Sequence, residues 1–253
     1  MTRSFPDTWL GRRGVILLRR PAMAMLGGRP ADVEALGVHV RVRPDNNICE
    51  KRLLFAPASF DAVELSILEK HIRPGFIFLD VGANVGAYAL FAAARADATS
   101  RILAIEPQPS MYDRLVANIQ LNDFPTIKAM ECAVADRTGD LTLFIDVKNS
   151  GESSVKIVAV GGAEPIKVAA KRLLDIVREE GFPRLDAVKL DVEGAEDLIL
   201  DPFFADAPES LYPGLLIVEN GTGRWQIDLV DLLDRHGYRK VAETRLNLVF
   251  ERG

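Results

Sequence analysis

Four acidic residues in this sequence each end a short apolar run. Asp80 follows FIFL, Glu106 follows RILAI, Asp191 follows DAVKL, and Glu219 follows LLIV. Such runs are typical of buried parallel strands, and ligands of open parallel sheets bind beyond the carboxyl ends of the strands. A single carboxylate at a strand end is more often a helix cap or a solvated loop residue. Four of them together predict a site for a cationic or hydroxyl-rich ligand.

The first of these acids opens a glycine-rich turn. In FIFLDVGANVG, residues 76–86, Gly82 and Asn84 follow the apolar run, and Gly86 lies at the start of the Ala-rich segment 85–95. Glycines at a strand-to-helix turn let a ligand approach the backbone, and the N–H groups at the start of the helix point outward. The turn therefore suits a nucleoside cofactor, while a plain tight turn without a ligand is the alternative.

The second acid is compatible with the same ligand. Glu106 ends the strand that follows the glycine-rich turn, where a carboxylate can accept hydrogen bonds from both hydroxyls of a ribose. This geometry serves NAD and S-adenosylmethionine equally well. From these two strands alone, a nicotinamide-dependent oxidoreductase and a methyltransferase are both open.

The elements that position these acids are predicted from the apolar patterns. The order strand, acid, helix occurs at 76–95 and again at 101–122, which predicts a doubly wound, mostly parallel α/β sheet. An amphipathic helix over 60–71 places Val63, Ile67 and Leu68 on one face. Further strands are predicted over residues 127–134, 141–146, 186–191, 215–218, 238–242 and 246–250.

The chain length and the segment compositions predict one domain and an arm. The 253 residues, 48% of them hydrophobic, are enough for one large domain, which we assign to residues 46–253. Residues 1–45 are rich in Arg, Gly and Pro and are predicted to form a partly helical N-terminal arm. Within it, residues 15–18 are apolar between two Arg pairs. This pattern is typical of a surface helix; the alternative is a lid over the site, or a weak contact with a membrane surface or lipid-linked substrate.

The overall composition disfavours several classes of protein. A net charge of −5 leaves no general basic field for nucleic acid, so we predict no nucleic-acid partner. Cys49 and Cys132 form no CxxC motif or Cys/His cluster, which disfavours a disulfide framework and a structural zinc site and favours a cytoplasmic location. The apolar run near the N-terminus is too short to span a membrane.

Longer motifs carry a family resemblance. DVGANVG at 80–86, AIEPQPSMYDRLVANIQLN at 104–122, NSGESS at 149–154 and VKLDVEGAE at 188–196 resemble the FkbM family of S-adenosylmethionine-dependent methyltransferases. The resemblance extends from about residue 60 to the end and does not cover the first 45 or so residues. It implies a Rossmann-like class I methyltransferase fold, with a seven-stranded, mostly parallel sheet, helices on both faces and an antiparallel last strand.

The resemblance also implies which residues bind the cofactor. The methionine part of S-adenosylmethionine would lie against the glycine-rich turn, the ribose against Glu106, and the adenine against the backbone of Ala133. In related enzymes an acidic side chain also contacts the adenine; Cys132 stands at that position here, so this contact would pass to Asp136. The predicted cofactor-binding residues are Asp80, Gly82, Ala83, Asn84, Gly86, Glu106, Pro107, Gln108, Ala133 and Asp136.

Methyl transfer from a sulfonium is an in-line displacement, so the protein aligns the acceptor and, for a hydroxyl, removes a proton. Asp191 is the first candidate for a catalytic carboxylate, because its strand lies next to the glycine-rich one; Glu193 and Glu219 follow. Lys189 either has a role here or packs under the helices with its ammonium group reaching solvent. A divalent metal on Asp191, Glu219 and Asn220 is an alternative that we do not favour.

We therefore predict an O-methyltransferase that acts on a hydroxyl of a sugar, glycolipid, polysaccharide or secondary metabolite. Its substrate choice would reside in the arm and in the Gly/Ser-rich segment 148–165, predicted as a loop over the site. N- or C-methylation of an amino acid or peptide is the alternative within the fold. Asn84 and the KLDVEGAE motif disfavour the nicotinamide-dependent alternative. The sequence predicts no particular oligomeric state.

Overall fold

The computed structural model describes residues 20–145, 153–154 and 164–253. The apolar run at 15–18 and most of the predicted loop at 148–165 lie outside the described residues. Residues 20–26 are helical. Within the described ranges, no helix combines the length and the apolar composition that crossing a membrane requires.

Strands and helices alternate through most of the described chain. In chain order they are β1 (Ala31–Ala35), β2 (Val38–Val42), α1 (Ile48–Phe55), α2 (Ala62–His71), β3 (Ile77–Val81), α3 (Ala87–Ala93), β4 (Arg101–Ile105), α4 (Pro109–Gln120), β5 (Ile127–Met130), β6 (Ala133–Val134), β7 (Gly139–Ile145), β8 (Ser153–Ser154), β9 (Glu164–Lys171), α5 (Leu173–Glu179), β10 (Ala187–Leu190), α6 (Glu196–Asp206), β11 (Leu215–Glu219), α7 (Leu229–Arg235), β12 (Tyr238–Glu243) and β13 (Asn247–Arg252).

The central sheet has seven strands in the order β12-β13-β11-β10-β3-β4-β5. The pairs from β11 to β5 are all parallel, and β13 runs antiparallel to both of its neighbours. This confirms the predicted mostly parallel sheet. The strand order reverses between β3 and β10, and the crevice at such a reversal is where open α/β sheets bind ligands.

Two hydrophobic clusters cover the two faces of this sheet. One includes Leu79 and Leu190 with helices α5, α6 and α7, and the other includes Phe78 with helices α2 and α3. Helix α3 is buried along its whole length, because it packs directly over the sheet behind the glycine-rich turn. The strand ends near this turn are therefore held by packing on both faces.

A second sheet, in the order β6-β9-β7-β8, was not predicted. The apolar run at 127–134 reads as one strand, but it divides after Met130, and β6 leaves the central sheet to pair with β9. Strand β9 overlaps the predicted loop by its first two residues. Its alternating side chains Val168 and Ala170 pack in a small core with Leu141 and Leu143. Strand preference depends on packing against neighbouring strands, and β6 and β7 are the strands that pair with β9.

The end of the predicted arm is part of the packed domain. Strands β1 and β2 form an antiparallel hairpin whose Val38, Val40 and Val42 are buried in the second core cluster. The backbone N–H of Arg41 donates to the side chain of Asn118 on α4 at 2.8 Å. Only tertiary packing brings this hairpin against α4, since 77 residues separate the two groups.

Helix α2 differs from its predicted orientation at one position. Leu65 and Leu68 face the core as an amphipathic helix requires, but Val63, predicted on the buried face, is 51% exposed. The helix begins at Ala62, so Val63 lies in its first turn, at the edge of the packed region.

Candidate active site

A cavity of about 1070 Å³ lies at the carboxyl ends of β3, β4, β10 and β11. All four strand-end acids predicted to share a site line this one cavity. Three predicted residues, Gly86, Gln108 and Asp136, do not line it. The predicted residues that do are Asp80, Gly82, Ala83, Asn84, Glu106, Pro107, Ala133, Asp191, Glu193 and Glu219.

The glycines of the turn are required by the packing of the chain itself. Gly82 has a φ of +76°, and a Cβ there would lie 2.0 Å from the backbone oxygen of Asp191. At Gly86, where φ is +93°, a Cβ would lie 2.7 Å from Leu115 Cδ1. Gly82 therefore permits a close contact between the turn after β3 and the end of β10, in addition to the ligand approach that the sequence predicts. This contact brings Asp191 up to the turn.

The turn and Glu106 hold each other in place. Asn84 adopts a left-handed conformation with φ of 52°, and its N–H donates to Glu106 Oε2 at 2.8 Å. The N–H of Gln108 donates to the other oxygen, Oε1, at 2.9 Å. Gln108 therefore acts through its backbone, behind the cavity wall. Burial raises the pKa of Glu106 to about 7, against the lowering by these two N–H groups. Each oxygen keeps a second lone pair that can accept a hydroxyl.

Asn47 supports the turn from outside and was not found in the sequence. It caps helix α1, its side-chain oxygen accepting from the N–H of Glu50, and its Nδ2 donates to Asn84 Oδ1 at 2.9 Å. It is fully buried and lines the cavity. The polar run before α1 is a recognisable cap pattern. Its partner lies 37 residues away and has no local signal.

A buried lysine joins two of the acids. Lys189 and Asp80 are register partners in the β10–β3 pair, so their side chains project on the same face. The Lys189 ammonium donates to Asp191 Oδ2 at 2.9 Å and lies 4.0 Å from Asp80 Oδ1. Lys189 is buried, and its ammonium group ends in the cavity rather than in solvent. Although burial lowers its pKa, Asp191 and Asp80 outweigh this and raise it, so the ammonium stays charged.

Asp80 carries the clearest sign of an incomplete site. Its Oδ2 accepts the N–H of Ala89 at 3.0 Å, while its buried Oδ1 has no hydrogen-bond partner among the described residues. Burial raises the pKa of Asp80 to about 6, with Lys189 acting in the opposite direction. A buried carboxylate oxygen without a partner is costly unless a ligand group reaches it.

The far side of the cavity contains Glu219. Its Oε1 accepts from Arg224 at 2.7 Å, and its Oε2 is buried without a hydrogen-bond partner among the described residues. Burial, helped by repulsion from Asp191, raises the pKa of Glu219 to about 7. Glu193 has a left-handed φ of 59° and lies 3.6 Å from the same Arg224.

Another wall of the cavity comes from residues that sequence reasoning missed. Tyr88 on α3 lies with its ring 4.9 Å from the Lys189 ammonium and donates its hydroxyl to Asp61 at 2.9 Å. Glu64 on α2 accepts from the Thr244 hydroxyl at 2.6 Å and from Asn247 at 2.9 Å. These pairs join segments up to 183 residues apart, which leaves no pattern in the sequence.

The remaining candidates lie at the edge of the site or outside it. Cys132 is buried among hydrophobic residues, which raises the pKa of its thiol to about 11. Asp136 is exposed and pairs with Arg137 at 3.6 Å. None of the three histidines lines the cavity; His236 contacts the Leu232 carbonyl oxygen and stacks on Phe204.

Two of the three residues named for the alternative metal site, Asp191 and Glu219, form ion pairs with cations of the protein. Lys189 lies against Asp191, and Arg224 lies against Glu219. Among the residues that the structure describes, no group of three or more His, Cys, Asp or Glu side chains could hold a metal ion.

The donor set fits S-adenosylmethionine. Seven carboxylate side chains line the cavity against three cations, Arg52, Lys189 and Arg245, so its charge favours a ligand with a sulfonium and an ammonium group. Asp80 Oδ1, which has no hydrogen-bond partner among the described residues, can accept from an ammonium, and Glu106 can accept from a diol. The lining Ala133 offers its backbone beside them.

Comparison with known proteins gives matches over the same region. A family model described as the methyltransferase FkbM domain matches residues 80–240. Methyltransferase sdnD of Sordaria araneosa is 34% identical over 147 residues, covering 47% of this chain and 56% of that protein. The 31-O-demethyl-FK506 methyltransferase FkbM of Streptomyces tacrolimicus is 27% identical over 203 residues, covering 68% of this chain and 76% of that protein. The match thus spans little more than half of the Sordaria protein.

A solved structure has a similar fold. The MTase domain of METTL16 matches with a TM-score of 0.50 and 13% identity, over 94% of this chain and 80% of that one. At this identity the likeness concerns the arrangement of strands and helices alone.

Proposed function

The chain belongs to the FkbM family of S-adenosylmethionine-dependent methyltransferases, and we propose that it transfers a methyl group to a hydroxyl oxygen of a small-molecule or glycan acceptor. The class I methyltransferase fold predicted from the sequence is confirmed by the strand order and by the structural match. Family membership argues against the nicotinamide-dependent alternative.

The proposal assigns the cofactor to the β3 and β4 side of the cavity. Asp80 and the turn residues Gly82, Ala83 and Asn84 would hold the methionine part, and Glu106 would bind the ribose hydroxyls. Pro107 and the Ala133 backbone would lie beside the ribose and the adenine. When bound, S-adenosylmethionine supplies a methyl group on a sulfonium, which is a good leaving group. Gly86, Gln108 and Asp136 would act only from outside the cavity wall.

The observation that supports O-methylation is that Glu219 has a buried oxygen without a hydrogen-bond partner among the described residues, together with a raised pKa. This side chain lines the cavity, and its Oε2 has no hydrogen-bond partner among the described residues. A general base is most effective when its pKa is close to the working pH, and burial raises the pKa of Glu219 to about 7. Glu219 would therefore accept the proton that the acceptor hydroxyl loses during methyl transfer.

Asp191 and Glu193 take supporting roles in this proposal. The Lys189 ammonium donates to Asp191 Oδ2 at 2.9 Å, and Asp191 would also accept a hydrogen bond from the acceptor or the cofactor. Glu193 lies beside Arg224, which also holds Glu219, so it would help to orient the base. We therefore place Glu219 before Asp191 as the base, the reverse of the order that the sequence predicts. The same base would also serve an amine acceptor, so N-methylation is the second candidate reaction.

Replacing Glu219 by Gln tests the assignment. We expect binding of S-adenosylhomocysteine, measured by calorimetry, to be unchanged, and kcat to fall by about 10²–10⁴-fold. In the native protein kcat/KM should rise with pH through about 7, because the base must lose its proton, and the variant should lack this rise. The assay measures S-adenosylhomocysteine release with an acceptor from a panel of hydroxyl compounds.

Asp191→Asn is the matched comparison. If Asp191→Asn abolishes the pH-dependent rise and Glu219→Gln keeps it, the base is Asp191 and our assignment is wrong. If neither S-adenosylhomocysteine nor S-adenosylmethionine binds the native protein, the proposed function itself fails.

A further inference from the structure

Exposed apolar side chains gather at the mouth of the cavity. Among the described residues, six large hydrophobic side chains are exposed, and three of them, Ile48, Val63 and Leu246, line the cavity. Their exposed fractions are 52%, 51% and 39%. We call these three residues the apolar rim. Single exposed hydrophobics are ordinary on a protein surface, but their grouping at one opening is not.

The rim is assembled from three separate parts of the chain. Ile48 begins α1, Val63 lies in the first turn of α2, and Leu246 lies in the turn between β12 and β13. Val63 is the residue whose helical periodicity predicts burial and which the structure exposes instead. Below the rim, Arg52 on α1 donates to Asp61, which precedes α2, at 2.6 Å, and Glu64 on α2 accepts from Thr244 and Asn247.

An aromatic wall connects the rim to the reacting groups. Phe60 precedes α2 and lines the cavity with Tyr88, their ring centroids 6.3 Å apart in an edge contact. The Tyr88 ring in turn lies 4.9 Å from the Lys189 ammonium, which pairs with Asp191. Phe60 and Tyr88 are buried, so they form a packed apolar wall between the rim and the carboxylates, with the Arg52 guanidinium 4.5 Å from the Phe60 ring centroid.

We propose that the apolar rim binds the hydrophobic body of the acceptor, so that the acceptor is an amphiphile with a hydroxyl group at its polar end. This inference rests on the proposed function and narrows it. Of the acceptors left open by the sequence, it selects glycolipids and apolar secondary metabolites over free sugars and polysaccharides. An apolar body against the rim would remove hydrophobic surface from water while the hydroxyl reaches Glu219 and Asp191.

The probes are glucose, butyl glucoside and octyl glucoside, titrated below micelle formation into the protein saturated with S-adenosylhomocysteine. Each methylene removed from water contributes about fourfold in affinity. Octyl glucoside has four more methylene groups than butyl glucoside. We therefore expect it to bind about tenfold more tightly if only some of them are buried and about 200-fold more tightly if all are, and we expect glucose to show no measurable binding. Glucose binding as tightly as octyl glucoside, or no binding by any probe, overturns the proposal.

Substitutions then locate the bound chain. Val63→Ser and Leu246→Ser should each weaken octyl glucoside binding by about tenfold. Ile227→Ser is the matched control, because Ile227 is 39% exposed like Leu246 but does not line the cavity. An equal loss in the control and the rim variants contradicts the proposal.

Titration of S-adenosylhomocysteine alone distinguishes a failure of the proposed acceptor class from a failure of the proposed function. If it binds the native protein and all three variants equally, a lack of rim effects overturns only the acceptor class. If it does not bind the native protein, the proposed function fails as well.

Discussion

Replacing the buried lysine of the site by methionine tests how the acids are held. Lys189 is 4% exposed, and its ammonium lies 2.9 Å from Asp191 Oδ2 and 4.0 Å from Asp80 Oδ1. Methionine keeps the straight side chain and removes the charge. Asp80 is then left as a buried carboxylate without a cation. Asp191, whose side chain is 40% exposed, can replace part of the lost ion pair by hydrogen bonds to water.

The expected loss follows from this difference in burial. Breaking a buried ion pair by removing one partner costs about 3–5 kcal/mol. Because one of the two carboxylates here is half-exposed, we expect the lower end, about 3 kcal/mol in the free energy of unfolding at pH 7.5. Lys128→Met is the control. Lys128 pairs with Glu180 at 2.6 Å on the surface, and losing such a pair costs no more than about 1 kcal/mol.

The loss should also depend on pH, with a definite sign. Burial raises the pKa of Asp80 to about 6 in the native protein, above its value in the unfolded chain. A group with a raised pKa contributes most to stability at low pH, and that contribution is lost as the pH rises through the folded-state pKa. Without Lys189 the Asp80 pKa should rise further, and each unit adds about 1.4 kcal/mol to the loss at high pH.

Urea unfolding of both variants at pH 7.5 and at pH 5 measures these effects. The Lys189→Met loss should be smaller at pH 5, because Asp80 is then protonated, and the Lys128→Met loss should stay small at both. A Lys189→Met loss no larger than that of the control, or one that grows at pH 5, would refute the electrostatic account.

Two further substitutions probe the turn. Gly82→Ala places a Cβ 2.0 Å from a backbone oxygen and should cost more than about 3 kcal/mol in urea unfolding, whereas Gly181→Ala, with φ of +62° and open space around it, should cost only about 1 kcal/mol. Asn47→Ala should cost about 2 kcal/mol, from a lost cap and a lost bond to Asn84, and should weaken S-adenosylhomocysteine binding. Asp228→Ala is the control, because it removes only a helix cap, and its S-adenosylhomocysteine affinity should match that of the native protein. Equal weakening of binding in Asn47→Ala and Asp228→Ala would show that the Asn84 bond is irrelevant.

The sequence by itself predicted the central sheet and one edge of the site. Apolar runs such as RILAI become strands because the preference is local, and the structure places β4 at the predicted residues 101–105. The acids that end these runs meet because parallel strands of one sheet end at the same edge. Strand-end residues such as Glu106 and Glu219 could therefore be assigned to one cavity without coordinates.

Tertiary structure decided what each of those groups can do. Whether Lys189 reaches solvent or Asp191 depends on what packs over β10, and the same packing determines the pKa of Asp80. The Asn47–Asn84 bond joins residues far apart in sequence, and Val63 leaves the core only because its helix begins at the cavity mouth. Local patterns determine strands, helices and their ends, whereas burial and long-range pairing determine charge, base strength and the surface that an acceptor meets.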